Sequence, residues 1–134
     1  MPNNGFGRRG KMVIKSLELT EEQKVLALET LRRNTQVSIT GCWLWTGRVV
    51  NSYPCLNSRA FRSSMWAHRV SFAIFKGRIA EGMHVDHTCR NRLCVNPQHL
   101  EQKTPVENYR AVYRRKRRDQ RRRAEARGQI CIPF

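Results

Sequence analysis

Hydrophobic positions near the start of the chain recur at helical spacing. Val25, Leu28 and Leu31 form an apolar stripe, three residues apart, in an otherwise polar segment. Thr20 precedes this stripe, and Gln23 lies three residues after Thr20. This is the spacing of a capping box at a helix start. The pattern predicts an N-terminal helix within residues 17–35 that begins just after Thr20.

The middle of the chain alternates between apolar and polar positions and is interrupted by glycines. Alternation over Ile39–Gly47 predicts one strand, and Tyr53–Leu56 predicts a second, weaker strand. Apolar residues return to helical spacing over Met65–Phe75, and Gly77 is expected to end that helix.

The C-terminal half predicts a hairpin followed by a helix. Met83–Asp86 has the pattern of a short strand, a polar loop covers residues 87–98, and Leu100–Lys103 has the pattern of a return strand. Thr104 then serves as N-cap, proline occupies the first helical position, and Glu107 completes a capping box. Asn108 is expected in the first turn of this helix.

The net charge narrows the choice of partner. The chain has 134 residues, of which 40% are hydrophobic, and this suffices for one domain with a modest core. With 26 basic and 10 acidic side chains, its formal charge is +16, and residues 110–127 alone hold ten basic and two acidic residues. Nucleic acid is the expected partner, since this segment has no apolar face for a membrane. The segment is expected to be an extended helix or to order only on DNA.

The cysteines suggest a metal site. Their odd number, with no secretory signal and no apolar run long enough for a membrane helix, argues against a disulfide framework and favours an intracellular protein. Two cysteines and a histidine recur every five residues in the polar loop, which is a spacing typical of tetrahedral zinc. The ligand candidates are Cys89, Cys94 and His99, with Cys42 or Cys55 as the fourth. The remaining cysteine, Cys131, lies in the C-terminal tail.

The same loop carries a longer motif. It reads Asp86-His87-x-Cys89-x4-Cys94-x-Asn96-Pro97-x-His99-Leu100, with Asn108 nine residues after the last histidine. This motif resembles the HNH endonuclease family, in particular the zinc-containing His-Me finger branch of phage and intron homing endonucleases. The segments 41–47 and 67–69 also resemble that branch, so the likeness covers residues 42–108. It implies a ββα-metal core with one structural zinc. With the N-terminal helix and the basic C-terminal helix or tail that the residue pattern predicts outside the likeness, the expected fold class is α+β.

The resemblance also implies roles for individual residues. His87 matches the general base, while Asp86 and Asn108 match the ligands of one catalytic Mg²⁺ or Mn²⁺ ion. Asn96 is expected to tie the loop together and to help orient the base. Cys42 is preferred as fourth zinc ligand because the family's ligand lies in the Cys-Trp-x-Trp position.

Arginines are expected to contact the substrate. The family's arginine for the scissile phosphate comes from upstream of the hairpin, and Arg59 is preferred there over Arg62 and Arg69. His68 is expected to pack under the hairpin rather than to contact the site. The residues expected to bind DNA phosphates are Arg62, Arg69, Arg114, Arg115, Arg117, Arg118, Arg121 and Arg122.

Together these features predict a divalent-metal-dependent HNH endonuclease that nicks or cuts double-stranded DNA, leaving 5′-phosphate and 3′-hydroxyl ends. It is expected to be homing-type or phage-encoded, a monomer or homodimer, and located in the host cytoplasm rather than at a membrane. The predicted division is a flexible basic tail (1–16), an N-terminal helix (17–35), an HNH nuclease domain (36–113) and an arginine-rich extension (114–134).

Two alternatives from other classes stay open. One is a zinc-stabilised nucleic-acid-binding module without catalysis, and the other is an RNA-binding accessory protein of the ribosomal type. Both account for the charge and the cysteines, but neither gives a reason for Asp86, His87 and Asn108.

Overall fold

The structure, a computed structural model, describes residues 15–128. Most of the predicted tail (1–16) and Cys131 lie outside the described residues. The helices and strands, in chain order, are α1 (Glu21–Arg33), β1 (Thr35–Val37), β2 (Trp43–Trp45), β3 (Val49–Val50), β4 (Tyr53–Leu56), β5 (Met65–Trp66), α2 (Ala67–Phe75), β6 (His84–His87), β7 (Leu100–Lys103) and α3 (Pro105–Ala126), with a short 3₁₀ helix (Pro97–His99) just before β7. Within this range the strands form three small antiparallel sheets, β1–β2, β3–β4–β5 and β6–β7, and no helix has both the length and the apolar content to cross a membrane.

The predicted first helix is confirmed, together with its capping box. The Thr20 hydroxyl accepts a hydrogen bond from the Gln23 backbone N–H at 3.2 Å, and the Gln23 side chain accepts one from the Thr20 N–H at 3.1 Å. The helix buries Ala27 and Leu31 in the main hydrophobic core, against α2. Of the predicted stripe, Leu31 is buried and Leu28 is half-buried, but Val25 is 67% exposed, because the side of α1 that faces the core is centred on Ala27 and Leu31.

The strand predicted over Ile39–Gly47 is found only in part, as β2, because the chain reverses just before it and pairs β2 with β1. β1 and β2 pair in antiparallel register, with Thr35 opposite Trp45. The reversal depends on Gly41, which has φ = +82°, a left-handed conformation that glycine adopts without the steric cost of a side chain. Periodicity alone could not distinguish this tight hairpin from one continuous strand.

β2 also connects the N-terminal half to the polar loop. The Trp45 N–H donates to the Leu93 carbonyl and the Val95 N–H donates to the Trp43 carbonyl, both at 2.8 Å. These bonds hold the second half of the loop against β2. Cys42, which immediately precedes β2, is thereby placed close to the loop.

The β3–β4–β5 sheet and α2 pack against each other, and α2 also contacts the polar loop. β4 is found where the sequence predicted it, whereas α2 begins only at Ala67 because Met65 and Trp66 pair with β4 as strand β5. One side of α2 is buried in the core, and the Ser71 hydroxyl on this helix donates to the Val95 carbonyl at 2.5 Å.

The predicted hairpin and capped helix are both present. β6 and β7 pair with Asp86 opposite Glu101 and His87 opposite Leu100. Successive side chains of a strand point to opposite faces, and here His87 is buried while Asp86 is half-buried. α3 follows with the predicted box, in which the Thr104 hydroxyl and the Glu107 side chain each accept a bond from the other's backbone N–H.

α3 is long and mostly exposed. Its 22 residues extend about 33 Å, and none of them is buried. Over its first three turns the partly shielded residues are Asn108, Ala111 and Arg115, which share one side of the helix. The basic segment, for which the sequence left helix or disorder open, is thus helical as far as Ala126 in this structure.

Candidate active site and metal centre

Four side chains converge on one point at the base of the polar loop. The ligand atoms of Cys42, Cys89, Cys94 and His99 all lie within 4.8 Å of one another. The Nδ1 atom of His99 is 3.6 Å from the sulfur of Cys42 and 3.5 Å from that of Cys94. A tetrahedral zinc with Zn–S of about 2.3 Å and Zn–N of about 2.0 Å requires S···N edges of roughly 3.5 Å. The cluster therefore fits one zinc ion.

The structure distinguishes the two candidates for the fourth position. Cys42 joins the cluster because the Gly41 turn and the start of β2 bring it to the loop. Cys55 lies in β4 opposite Trp66, buried but outside the cluster. Burial raises the pKa of the Cys94 thiol to about 12, so that this sulfur is protonated without a metal and binding would release its proton.

Short local hydrogen bonds give the loop its shape. The Arg90 N–H donates to the His87 carbonyl at 3.2 Å, and the Asn91 side chain accepts from the Leu93 N–H at 3.0 Å. Asn96 accepts from the Gln98 N–H at 3.0 Å and donates to the Gly41 carbonyl at 2.7 Å. Asn96 thus joins the loop to the turn before Cys42. Its predicted effect on the base stays a prediction.

His87, the predicted base, ends β6 and is buried at 6% exposure. Its ring donates a hydrogen bond to the Cys94 carbonyl, and among the described residues Nε2 has no partner and is shielded from solvent. The donor is therefore Nδ1, which leaves the lone pair on Nε2. Burial lowers the pKa of His87, and this favours the neutral form that can accept a proton.

Asp86, a predicted magnesium ligand, already has two cationic partners. Its Oδ2 accepts from Lys103 Nζ at 2.9 Å and from Arg115 Nη2 at 3.4 Å. Burial raises the pKa of Asp86, but the Lys103 hydrogen bond and the charges of Lys103 and Arg115 outweigh it and hold that pKa below its usual value. The carboxylate is therefore ionised, with its charge balanced by side chains.

Asn108, the second predicted magnesium ligand, lies in the first turn of α3. Arg115 follows it by seven residues, close to two full turns, so both residues occupy the same side of the helix. Because Arg115 reaches Asp86, this is the side that faces the hairpin. Asp86 and Asn108 thus lie on facing surfaces. His87 points to the opposite face of β6, toward α2, so the two faces of the hairpin can share a substrate only near the end of the strand.

The predicted arginines have separate environments. Arg59 lines a shallow cleft beside Glu29 and Arg33 of α1. The Arg69 guanidinium donates to the carbonyls of Met83 and Lys15, at 3.1 and 3.0 Å, and so fixes the chain before β6. Arg59 itself is exposed, and so are Arg62 in the turn after β4 and, on α3, Arg114, Arg117, Arg118, Arg121 and Arg122.

Three residues near His87 were not assigned to the site from the sequence. The His68 ring packs against that of His87, with 4.9 Å between centroids, and Tyr53 packs against His68 at 5.7 Å. The Arg92 guanidinium carbon lies 5.2 Å from the centre of the Tyr53 ring. His68 packs under the hairpin as expected but also contacts the base. Arg92 could have been noticed from its place between two zinc ligands, whereas Tyr53 carries no such signal.

Comparison with known proteins agrees with the motif. Residues 65–110, from β5 into α3, match the family model described as HNH endonuclease. Protein 2.8 of Escherichia phage T7 is 30% identical over 84 residues, which are 60% of this chain and 55% of that protein. The chain thus spans about half the length of this curated relative, and no solved structure matches it. The segment that carries the motif is therefore similar to HNH endonucleases, in agreement with the resemblance found in the sequence.

Proposed function

We propose that the protein is a divalent-metal-dependent DNA endonuclease that hydrolyses phosphodiester bonds and leaves 5′-phosphate and 3′-hydroxyl ends. The observation that carries this proposal is the state of His87. One ring nitrogen is fixed by the Cys94 carbonyl, and the other is a buried lone pair with no partner among the described residues. Buried polar atoms are seldom left unpaired, and such an atom at the end of a strand suits a base that awaits its substrate.

In this proposal the Nε2 atom of His87 takes a proton from the attacking water. The Cys94 carbonyl keeps the ring in the required tautomer and orientation, and burial keeps it neutral near pH 7. Because Nε2 is shielded from solvent, the side chains around it have to move when DNA binds. Asn96 supports the arrangement by joining the loop that follows Cys94 to the Gly41 turn.

Asp86 and Asn108 would hold the catalytic ion, and their oxygen donors suit Mg²⁺ or Mn²⁺. When bound, such an ion stabilises the negative charge that develops on the scissile phosphate and the leaving 3′ oxygen. A metal at Asp86 competes with Lys103 and Arg115 for the carboxylate. We further propose that β6, β7 and α3 constitute a ββα-metal core on this basis.

The zinc would have a structural role at Cys42, Cys89, Cys94 and His99, one ion per chain. The division proposed from the sequence is kept, with a nuclease domain at 36–113, a helix at 17–35, a basic tail at 1–16 and an arginine-rich extension at 114–134. The extension is proposed to bind double-stranded DNA, by a monomer or a homodimer. The phage relative supports a phage-encoded or homing-type enzyme acting in the host cytoplasm.

The test is cleavage of supercoiled plasmid in Mg²⁺ or Mn²⁺, repeated with a tiled genomic substrate. We expect the wild type to nick or linearise DNA and to stop when the metal is chelated. His87→Ala should bind DNA without cutting it, because the base is lost. His84→Ala is the matched control, since His84 lies on the same strand and is half-exposed, and it should still cut. Cutting by His87→Ala at the wild-type rate would contradict the proposal.

A second function has one specific observation in its favour. Lys103 and Arg115 occupy the Asp86 carboxylate, where the catalytic ion would bind. A zinc-stabilised nucleic-acid-binding module without catalysis would show this arrangement permanently. DNA binding that persists in a magnesium chelator, with no cleavage in any divalent metal, would favour this function over the nuclease.

A further inference from the structure

Arg92 lies at the corner of a tight turn inside the polar loop. The turn is closed by the Cys94 N–H, which donates to the Asn91 carbonyl at 3.1 Å, and the Asn91 side chain caps it by accepting from the Leu93 N–H at 3.0 Å. Arg92 is therefore the first of the two central residues, and its side chain is exposed. The zinc ligands Cys89 and Cys94 lie on either side of it in the chain.

A row of aromatic rings connects Arg92 to the predicted base. The guanidinium carbon lies 5.2 Å from the centre of the Tyr53 ring, within cation–π distance. Tyr53 packs on His68 with 5.7 Å between centroids, and His68 packs on His87 with 4.9 Å between centroids. The three rings come from β4, α2 and β6, so that three separate elements of the fold position this row.

The chemistry of Arg92 suits a phosphate at this position. A guanidinium can lie flat on an aromatic ring while the N–H groups at its edge stay free to donate to an anion. The ring row that leads from Tyr53 to His87 places this exposed cation on the side of the molecule that holds the base.

The other arginines are less well placed. Arg59 lies in the cleft beside α1, Arg69 donates to two backbone carbonyls, and Arg115 donates to Asp86. Each of these three arginines either contacts another group of the protein or lies in another part of the molecule. Of these four, Arg92 is the one whose guanidinium packs at the end of the ring row that leads to His87.

We propose that Arg92 binds a non-bridging oxygen of the scissile phosphate, and that Tyr53 is a positioning residue that holds the Arg92 guanidinium beside His87. This inference rests on the proposed nuclease function. In the reaction the water oxygen bonds to phosphorus and its proton passes to His87. The bond from phosphorus to the 3′ oxygen breaks, and that oxygen leaves with the electron pair and takes up a proton from solvent water to become the 3′-hydroxyl. Arg92 forms no covalent bond, and it stabilises the charge that increases on the phosphate oxygens in the transition state.

The test compares Arg92→Gln with Arg90→Gln. Both changes remove one exposed positive charge from the same loop, but Arg90 is not part of the ring row. The nicking rate is measured on supercoiled plasmid at saturating protein in Mg²⁺, and affinity is measured by fluorescence anisotropy on a DNA duplex in Ca²⁺. We expect Arg92→Gln to lower the rate about 10²- to 10³-fold and to change affinity by less than about threefold. Arg90→Gln should keep a rate within about threefold of the wild type.

Tyr53 is tested by ring removal and ring retention. Tyr53→Phe keeps the ring and should cut at close to the wild-type rate, whereas Tyr53→Leu should cut about tenfold more slowly because the guanidinium loses its platform. If Tyr53 acts through Arg92, adding Tyr53→Leu to Arg92→Gln should cause no further loss. Zinc content and melting temperature are measured for each variant, and only variants that match the wild type are compared.

The outcomes separate this inference from the proposed function. If the wild type cuts no DNA, the nuclease function fails and the inference fails with it. If the wild type cuts and Arg92→Gln cuts equally fast, or loses rate and affinity in parallel with Arg90→Gln, then Arg92 is an ordinary backbone contact and the inference alone is overturned. Independent, multiplicative losses in the double variant would overturn the role of Tyr53.

Discussion

Replacing Cys42 with serine should release the zinc, whereas the same change at Cys55 should not. The two positions are well matched, because Cys42 is 6% exposed and Cys55 is 2% exposed, and each lies beside or within a short strand. They differ in that the sulfur of Cys42 belongs to the four-atom cluster. A serine hydroxyl is a poor ligand for zinc in such a site, which binds through thiolate and imidazole groups.

The structure allows the size of this effect to be worked out. A buried hydroxyl without a partner costs about 1–3 kcal/mol, and this cost applies to both variants. Zinc at a concentration roughly a thousandfold above its dissociation constant stabilises the folded state by about 4 kcal/mol. Only Cys42→Ser loses this stabilisation by bound zinc. The difference between the variants should therefore be about 4 kcal/mol, or roughly 10–20 °C in melting temperature for a chain of this size.

The measurements are elemental analysis and thermal unfolding with and without a zinc chelator. We expect about one zinc per chain in the wild type and in Cys55→Ser, and almost none in Cys42→Ser. The chelator should lower the melting temperature of the first two proteins to that of zinc-free protein and leave Cys42→Ser unchanged. Equal zinc content in the two variants, or a melting temperature that does not respond when zinc is removed, would refute the reasoning.

Three further predictions concern pH, magnesium and salt. His68 is buried, and burial, followed by the charges of His87 and Arg69, holds its pKa well below 6.5. Below pH 6.5 the unfolded chain therefore binds a proton at His68 that the folded chain does not bind. The free energy of unfolding should fall there by up to about 1.4 kcal/mol per pH unit. His68→Phe should reduce this dependence on pH in thermal melts. Lys103→Met should lower the half-saturating Mg²⁺ concentration for cleavage about tenfold, because it removes a cation that competes for Asp86. Replacing both Arg121 and Arg122 with glutamine should reduce the slope of log affinity for DNA against log salt by about 2.

Each of these predictions has an outcome that contradicts it. An unchanged pH slope in His68→Phe would assign the acid sensitivity to other groups, such as His87. A higher magnesium requirement in Lys103→Met would show that Lys103 supports the ion rather than competes with it. For the salt slope, Arg32→Gln on α1 is the control. If Arg32→Gln changes the salt slope as much per arginine removed, then the arginines of α3 contact DNA no more than an arginine on α1 does.

The features that could be predicted from the sequence depend on neighbouring residues. Both capping boxes are local, so Thr20 and Thr104 identified the starts of α1 and α3 correctly. The β6–β7 hairpin was predictable because its two strands flank one loop. The zinc cluster was nearly predictable, since three ligands lie at even spacing, but the choice of Cys42 over Cys55 needed the resemblance and then the β1–β2 turn.

The features that could not be predicted depend on contacts between distant segments. The strand expected over Ile39–Gly47 forms only at Trp43–Trp45, because a turn containing Gly41 with positive φ precedes it and its pairing partner, β1, lies before that turn. The pairing of Arg115 with Asp86 joins residues 29 positions apart. The contact of Arg92 with Tyr53 depends on how β4, α2 and the loop pack together, and no spacing rule encodes that packing.

The zinc loop and the base are physically one assembly. Cys94 offers its sulfur to the metal cluster and its carbonyl to the His87 ring, so the same residue would bind zinc and hold the base in its tautomer. The turn that presents Arg92 is closed by the N–H of that same Cys94. A loop with few buried apolar side chains could not hold these groups to within a fraction of an ångström by packing alone. Zinc at this position would therefore act on catalysis through the geometry of the Cys94 backbone, although its ligands need never touch the substrate.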